Sequence, residues 1–495
     1  MNPEYLLIIS LVTIIAILAS GSRIAGLLAL AGTVVQLVFS AGLLFLYMAE
    51  RNAGNASLLL FEHTYVWYPD WNITFHSGID GISLSMILLT SVVLVSGVLV
   101  SWKTEYMKKE FFILLLLLGT GAYGFFLSSD LFSLFFFFEL AVIPKYLLIA
   151  IWGSGRKEYS AMKLALMLMG GSALVLAGIL SLYYYSCAAG NPSFDLQQLY
   201  TTPVPEQAQL YIFPLLFTGF AVLSALFPLH TWAPDGHSSA PTAASMFLAG
   251  ISMKLGGYGC IRIAIYLFPA AAAFYSPYII ILACIGILYG AFVTLRQKDI
   301  KLMNAYSSVS HCGFVLLGAG MLTNTAMTGA VLQMVSHGIM TALFFGVIGM
   351  IYGRTHTRIG EELGGLLKVM PFIGSCFIIA GLTSLGLPGL SGFVAEMTIF
   401  VGAFQIGDVF HRIATVSAAM SIVVTAVYIL RAIGISLWGP LKNEKFRESG
   451  DATWYERAAS VILIASIISI GIYPFWMSDI ISNTVSVLFT SNPLK

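Results

Sequence analysis

"LFSLFFFFELAVIPKYLLIAIWG", residues 131–153, carries two charges, Glu139 and Lys145, in a run otherwise apolar enough to sit in lipid. The run is as long as a helix must be to cross a bilayer. A carboxylate or ammonium at the centre of such a helix costs roughly 2.5 to 3.5 kcal/mol on insertion scales. A segment that tolerates this cost needs the charge, so Glu139, midway along the run, is read as functional. Pro144 lies in the same helix and frees a backbone carbonyl one turn earlier, which favours a kink.

The rest of the chain has the same character. Of its 495 residues 58% are hydrophobic and only 9% charged, and its mean hydropathy is +0.89. A soluble domain carries about 25% charged residues, so this chain lacks the polar surface to dissolve. It reads as an all-α polytopic membrane protein surrounded by lipid. A formal charge of +1 gives no reason to expect nucleic acid as a partner. The cysteines Cys187, Cys260, Cys284, Cys312 and Cys376 are scattered without a CxxC pair and read as apolar packing residues. The histidines show no metal-ligand spacing. No metal site and no cofactor site is expected in this chain. The N-terminus lacks the basic region of a cleavable signal.

Hydropathy predicts about fourteen transmembrane helices. They fall near 3–19, 25–48, 80–101, 111–128, 131–152, 159–184, 209–229 and 241–263. The series continues near 277–294, 302–321, 326–351, 371–402, 413–438 and 458–476. One set of alternating loops holds Arg23, then Lys103, Lys108 and Lys109, then Arg156 and Lys157. Arg296, Lys298 and Lys301 follow, then Arg354, Arg358 and Lys368, then Lys442, Lys445, Arg447 and Arg457 beside Arg431. The opposite side has only Arg51, Arg262, Arg412 and Lys495. The positive-inside rule makes the first set cytoplasmic and places both termini outside, in a bacterial inner membrane in the periplasm.

Lys145, Lys163 and Lys254 remain within spans. Lys254, in "AGISMKLGGYG", lies too far from either end to snorkel, and the adjacent glycines allow close helix contact around it. Lys163 lies about one turn into its span, where snorkelling is easier. Glu396 falls in "LGLPGLSGFVAEMTIF", residues 385–400, behind Pro388, Gly386, Gly389 and Gly392. This is the composition of a broken membrane helix whose backbone lines a cavity or the protein interior. "FPLHTWAPDGHSSAPTAASM", residues 227–246, is broken in the same way by Pro228, Pro234 and Pro241. Two interrupted spans in two halves imply an internal repeat. His311 and His337 lie inside the tenth and eleventh spans. Imidazole, carboxylate and desolvated ammonium groups can all be tuned to exchange protons near neutral pH. The pattern points to an ion pathway running parallel to the membrane.

Four stretches, "FFFFELAVIPKYLLIAIWG", "FPLHTWAPDGHSSAPTAASMFLAG", "YSSVSHCGFVLLG" and "SLGLPGLSGFVAE", with "GIDGISLSM" at 78–86, carry a family resemblance over residues 78–435. They resemble the antiporter-like membrane subunits of proton-pumping NADH:quinone oxidoreductase, respiratory complex I, of the subunit M (mitochondrial subunit 4) type. The resemblance implies fourteen core helices with two inverted five-helix repeats and discontinuous helices 7 and 12. It divides the chain into helices 1–3 (1–110), a first half of helices 4–8 (111–263), a second half of helices 9–13 (264–438), and a C-terminal loop with helix 14 (439–495). It assigns Glu139, Lys163, Lys254, His311, His337 and Glu396 to proton translocation. A glutamate in the twelfth helix is the feature of this subunit type. The family's seventh helix carries a lysine where this chain has Leu223, while Lys145 stands where the family has an uncharged residue. The resemblance therefore leaves open whether Lys145 compensates for Leu223.

The expected function is proton translocation without redox chemistry in this chain. NADH, FMN, iron–sulfur clusters and quinone belong to partner subunits, and sister antiporter-like subunits are expected beside it in the membrane. A multisubunit cation/proton antiporter subunit, or a structural subunit that has lost transport, is the alternative. Leu223 is the best argument for the latter.

Overall fold

In a computed structural model, which describes residues 2–202 and 204–490, the predicted spans are helices or pairs of helices. The first part comprises α1 (Tyr5–Ala19), α2 (Ser22–Asn52), α3 (Gly81–Val100), α4 (Lys108–Leu127), α5 (Leu131–Trp152) and α6 (Lys157–Ala188). A short α7 (Leu196–Thr201) precedes α8 (Glu206–Leu223), α9 (Trp232–Ser239), α10 (Thr242–Phe247) and α11 (Met253–Gly259). The second part holds α12 (Pro269–Arg296), α13 (Ile300–Gly320), α14 (Asn324–Thr355), α15 (Pro371–Ser384), α16 (Ser391–Phe404) and α17 (Val409–Leu437). The chain closes with α18 (Trp454–Ile472) and α19 (Phe475–Thr490). Among the described residues nine helices are long and apolar enough to cross a membrane unbroken, and the chain is a multi-pass membrane protein. Lys495, counted above with the outer charges, lies outside the described residues.

Aspartates stand where the chain enters several of these helices. Asp130 accepts from the Phe132 and Ser133 amides at 2.9 and 3.0 Å, and Asp80 and Ser83 form a reciprocal capping box at the start of α3. Each satisfies amides that a helix start leaves without partners, an acute need beside lipid. α3 and α14 form the centre, buried over 89% and 94% of their apolar windows, against 33% for α2 and α18. The outer helices turn residues such as Val38, Phe45, Leu166 and Val423 outward, as lipid or neighbouring subunits require.

Both expected breaks are present. The seventh span stops at Leu223 and resumes only at Trp232, with Pro228 between. α8 is received there by Gly256 of α11, where an added Cβ would lie 2.3 Å from the Ser224 nitrogen and 2.5 Å from the Phe220 oxygen. The twelfth span breaks between Ser384 and Ser391, with Gly386 and Gly389 at φ +74° and +92°. The eighth span is not a regular helix. Two π-helical segments, Leu248–Ser252 and Cys260–Ile265, flank α11 and its Lys254. Single π turns of this kind are frequent at functional sites.

Three features depart from the expected pattern. The connection 49–79 contains an antiparallel hairpin, β1 (Leu60–Tyr68) and β2 (Ile73–Ile79), turning through Asn72 in a left-handed conformation. The last span divides at Pro474, and the extra helix α19 folds back over the end of the bundle where α3 begins. There Thr484 Oγ1 accepts from the Gly81 amide at 2.8 Å. Finally, two cations assigned to loops are buried. Lys301 lies in the first turn of α13, 7% exposed, and Arg262 lies in the second π segment, 2% exposed. Arg262 pairs with Asp80 at 3.1 Å.

Candidate functional site

α11, α13, α14 and the broken α15–α16 pair bring four of the predicted residues into one buried line. Lys254 Nζ donates to the Ala249 carbonyl at 2.5 Å and lies 2.8 Å from His337 Nδ1. Ala249 belongs to the π segment, whose altered carbonyl pattern presents an acceptor to the ammonium. His337 is 1% exposed and its Nε2 has no partner among the described residues. Its ring centroid is 5.2 Å from that of His311. His311 Nε2 meets Ser384 Oγ at 2.9 Å, and its Nδ1 meets the Gln333 amide at 3.2 Å and Glu396 Oε1 at 3.5 Å. Ser384 ends α15 and Glu396 lies in α16, so both halves of the broken helix contribute. The break leaves room for the carboxylate, since a Cβ on Gly386 would lie 2.8 Å from Glu396 Oε2.

The groups on this line are of the kinds that exchange protons near neutral pH. An ammonium at Lys254 donating to His337 Nδ1 requires the other imidazole proton to sit on Nε2. Each ring offers one nitrogen to accept and one to release, but no hydrogen bond joins the two imidazoles among the described residues, so a step from His337 to His311 needs a bridging water or a change of rotamer.

The first half is arranged differently. Lys163 forms an ion pair with Asp235 of α9 at 2.7 Å, with side chains 24% and 39% exposed. It does not reach Glu139, and Asp235, a partner that sequence reasoning missed, stood in plain view in the proline-broken stretch. Glu139 Oε1 and Lys145 Nζ are buried without a hydrogen-bond partner among the described residues. Lys145 is wholly buried and feels the Glu139 charge, but no direct ion pair within 4.0 Å joins them. Six helical residues set the two about 9 Å apart along the axis. Leu223 is fully buried at the end of α8.

Also missed were His237 in α9, fully buried with its Nδ1 unpartnered among the described residues, and the buried Lys301, whose Nζ donates to the Ala240 carbonyl at 2.6 Å. On the hairpin side, His76 of β2 is held between two carboxylates. Its Nδ1 bonds Asp195 at the start of α7, and its Nε2 meets Glu62 of β1 at 3.1 Å. The Asp195 bond is the largest influence, and together with Glu62 it raises the imidazole pKa above the usual 6.5 despite burial. Asp130, beside Asp195, is pushed up to about 6 by burial.

Residues 128–421 match the family model described as NADH:quinone oxidoreductase/Mrp antiporter, transmembrane. NAD(P)H-quinone oxidoreductase chain 4 1 of Microcystis aeruginosa is 35% identical over 92% of this chain and 86% of its own length. The chloroplastic NAD(P)H-quinone oxidoreductase chain 4 of Angiopteris evecta is 37% identical over 86% of this chain and 87% of its own. A chain of respiratory complex I from Thermus thermophilus superposes with a TM-score of 0.88 at 24% identity, covering 99% of this chain and 100% of that one. A chain of the Mrp complex from Dietzia sp. gives 0.86 at 19% identity, covering 99% and 98%. The two structural likenesses concern the fold.

Proposed function

From the premise that this chain belongs to the NADH:quinone oxidoreductase/Mrp antiporter membrane family, we propose that it is the proton-translocating membrane subunit of an NADH:quinone oxidoreductase. The observation that carries this reading is the buried line Lys254–His337–His311–Glu396. A structural subunit that had lost transport would have no reason to keep such a line, because buried polar groups are expensive wherever they are not used. The relatives at 35% and 37% identity favour the oxidoreductase over the cation/proton antiporter; the fold alone does not separate them.

In this reading quinone reduction occurs in partner subunits, which hold NADH, FMN, the iron–sulfur clusters and quinone. A change of charge reaching this chain alters proton affinity along the line by Coulomb interaction, strongest where the dielectric is low. Glu139 and Lys145 form a separate charged site in the first half, and Lys163 with Asp235 lies between that half and the surface. Glu396 hands the proton to the outer side. The two broken helices are the corresponding elements of two inverted halves, 111–263 and 264–438, framed by 1–110 and 439–495. The basic loops face the cytoplasm of a bacterial cell and both termini the periplasm.

The test is Glu396→Gln in the whole complex in inside-out vesicles, with proton uptake measured per electron transferred. The expected result is an assembled complex whose ratio falls by this chain's share. An unchanged ratio would remove the proposed role.

A further inference from the structure

At the basic end of the bundle a cavity of about 320 Å³ opens between α3, α5, α13 and α14. Ser101, Thr104, Ser154, Tyr352 and Arg358 line it, and so does Lys301. Nothing in the translocation line described above uses this cavity, and its lysine is out of place by ordinary rules. A lysine in the first turn of a helix normally extends into water, and a cation there opposes the helix dipole. Lys301 is nevertheless 7% exposed, and among the described residues its Nζ donates to the Ala240 carbonyl alone. Asp299 does not serve as its ion partner. One Asp299 oxygen caps α13 by accepting from the Lys301 and Leu302 amides, and the other faces Arg358 at 3.6 Å. Lys301 thus shares its cavity with a second cation. A desolvated lysine in a polar cleft, without a carboxylate of its own, is a candidate for proton chemistry.

Beyond Lys301 lies His237. It is three residues before Ala240, and Ser245 Oγ donates to both carbonyls, at 2.8 Å to His237 and 3.2 Å to Ala240. Both Lys301 and Lys254 lie near enough to the His237 ring to act on it electrostatically. Its Nε2 meets only the Met253 sulfur, at 3.4 Å, next to Lys254, and its Nδ1 has no partner among the described residues.

We propose that Lys301 is the group that takes protons from the cytoplasm into this chain, receiving them in the cavity and passing them through His237 to Lys254. The inference rests on the translocation reading above and adds its intake. Each transfer balances. The Lys301 ammonium gives a proton to His237 Nδ1 and becomes an amine, which a proton from the cavity water restores. The imidazolium releases its Nε2 proton to a neutral Lys254 amine, and the ring returns by exchange of tautomers. No hydrogen bond joins the three side chains directly, so each step needs a bridging water or a change of rotamer.

The experiment compares Lys301→Met, Glu396→Gln and the double variant in the whole complex in inside-out vesicles, measuring protons taken up per electron. Lys301→Met is expected to lower the ratio by the same step as Glu396→Gln, and the double variant to lower it no further. A lowered ratio in Glu396→Gln with a normal ratio in Lys301→Met overturns the intake and leaves translocation standing. Normal ratios in both remove the translocation reading and the intake with it. Lys301→His guards against a merely structural effect. The groups facing position 301 are Asp299 on its own helix cap, Arg358, Tyr352 of α14 and His237 of α9, all unchanged in this variant. An imidazole loses its proton at lower pH than an ammonium in the same surroundings. The alkaline limb of the pH profile of the ratio is therefore expected to move toward acid. An unmoved profile overturns the proposal, even if Lys301→Met fails to assemble.

Discussion

Replacing Lys145 by methionine separates stability from function. The side chain is wholly buried, and its Nζ has no hydrogen-bond partner among the described residues. A lysine at a membrane helix centre costs roughly 2.5 to 3.5 kcal/mol. Its one opposing term is attraction to Glu139. Taking the axial spacing of about 9 Å as the charge separation, with an effective dielectric constant of about 20, that is worth about 1.8 kcal/mol. Methionine has nearly the same shape and no charge, so Lys145→Met should stabilise the chain by about 1 to 2 kcal/mol, the difference between those terms. We propose that Lys145 stands in for the ammonium missing at Leu223; on that proposal the same change should lower pumping. Thermal unfolding of the solubilised complex reads the first effect, and protons per electron in vesicles the second. Lys145→Met with Leu223→Lys should recover part of the pumping. Recovery should be incomplete, because Leu223 is fully buried beside the Gly256 contact. Destabilisation by Lys145→Met of more than about 2 kcal/mol would mean that the ammonium has a strong partner and that this reasoning is wrong. Normal pumping would end the idea of compensation.

Two further outcomes follow from the geometry. Lys254→Met should cripple pumping more than Lys163→Met, because Lys254 is in the buried line and Lys163 is in a part-exposed pair with Asp235, of a kind worth about 1 kcal/mol or less; equal, mild defects in the vesicle assay would contradict this ranking. The His76 clasp should loosen as pH rises. Its raised imidazole pKa contributes stability that is full below 6.5 and lost as pH passes the elevated value. Asp130, raised to about 6 and next to Asp195, acts in the same direction when it ionises. The protection of the β1 and β2 amides, taken relative to their intrinsic base-catalysed exchange rate, should therefore fall from mildly acidic to alkaline pH, and His76→Gln should remove the part of that fall above pH 6.5; protection that is flat with pH in the parent would refute it.

Much of this molecule is written in one dimension. Glu139, Lys145, Lys254 and Glu396 stand out because a charge in a long apolar run has no bland explanation. The breaks at 224–231 and 385–390 are legible because proline and glycine interrupt helices by their own stereochemistry. The aspartates that cap helices are visible for similar local reasons. What the sequence does not determine is which of these groups meet. Lys254 and His337 are 83 residues apart, and Lys163 and Asp235 are 72. Their contact depends on helix rotation and on where packing places each face. Lys301 and Arg262 look like ordinary loop cations until the chain folds over them, because the burial of a charge belongs to its neighbours and not to its own run of sequence. His237 and Asp235 lie in a stretch whose prolines announce a break but not the direction its polar groups take. The hairpin and α19 escape a hydropathy reading because neither needs to span the bilayer, and each is held by contacts made at the end of the bundle. Hydropathy and local stereochemistry act along the chain and determine the spans; the buried line from Lys254 to Glu396 is a product of distance between spans, which only packing supplies.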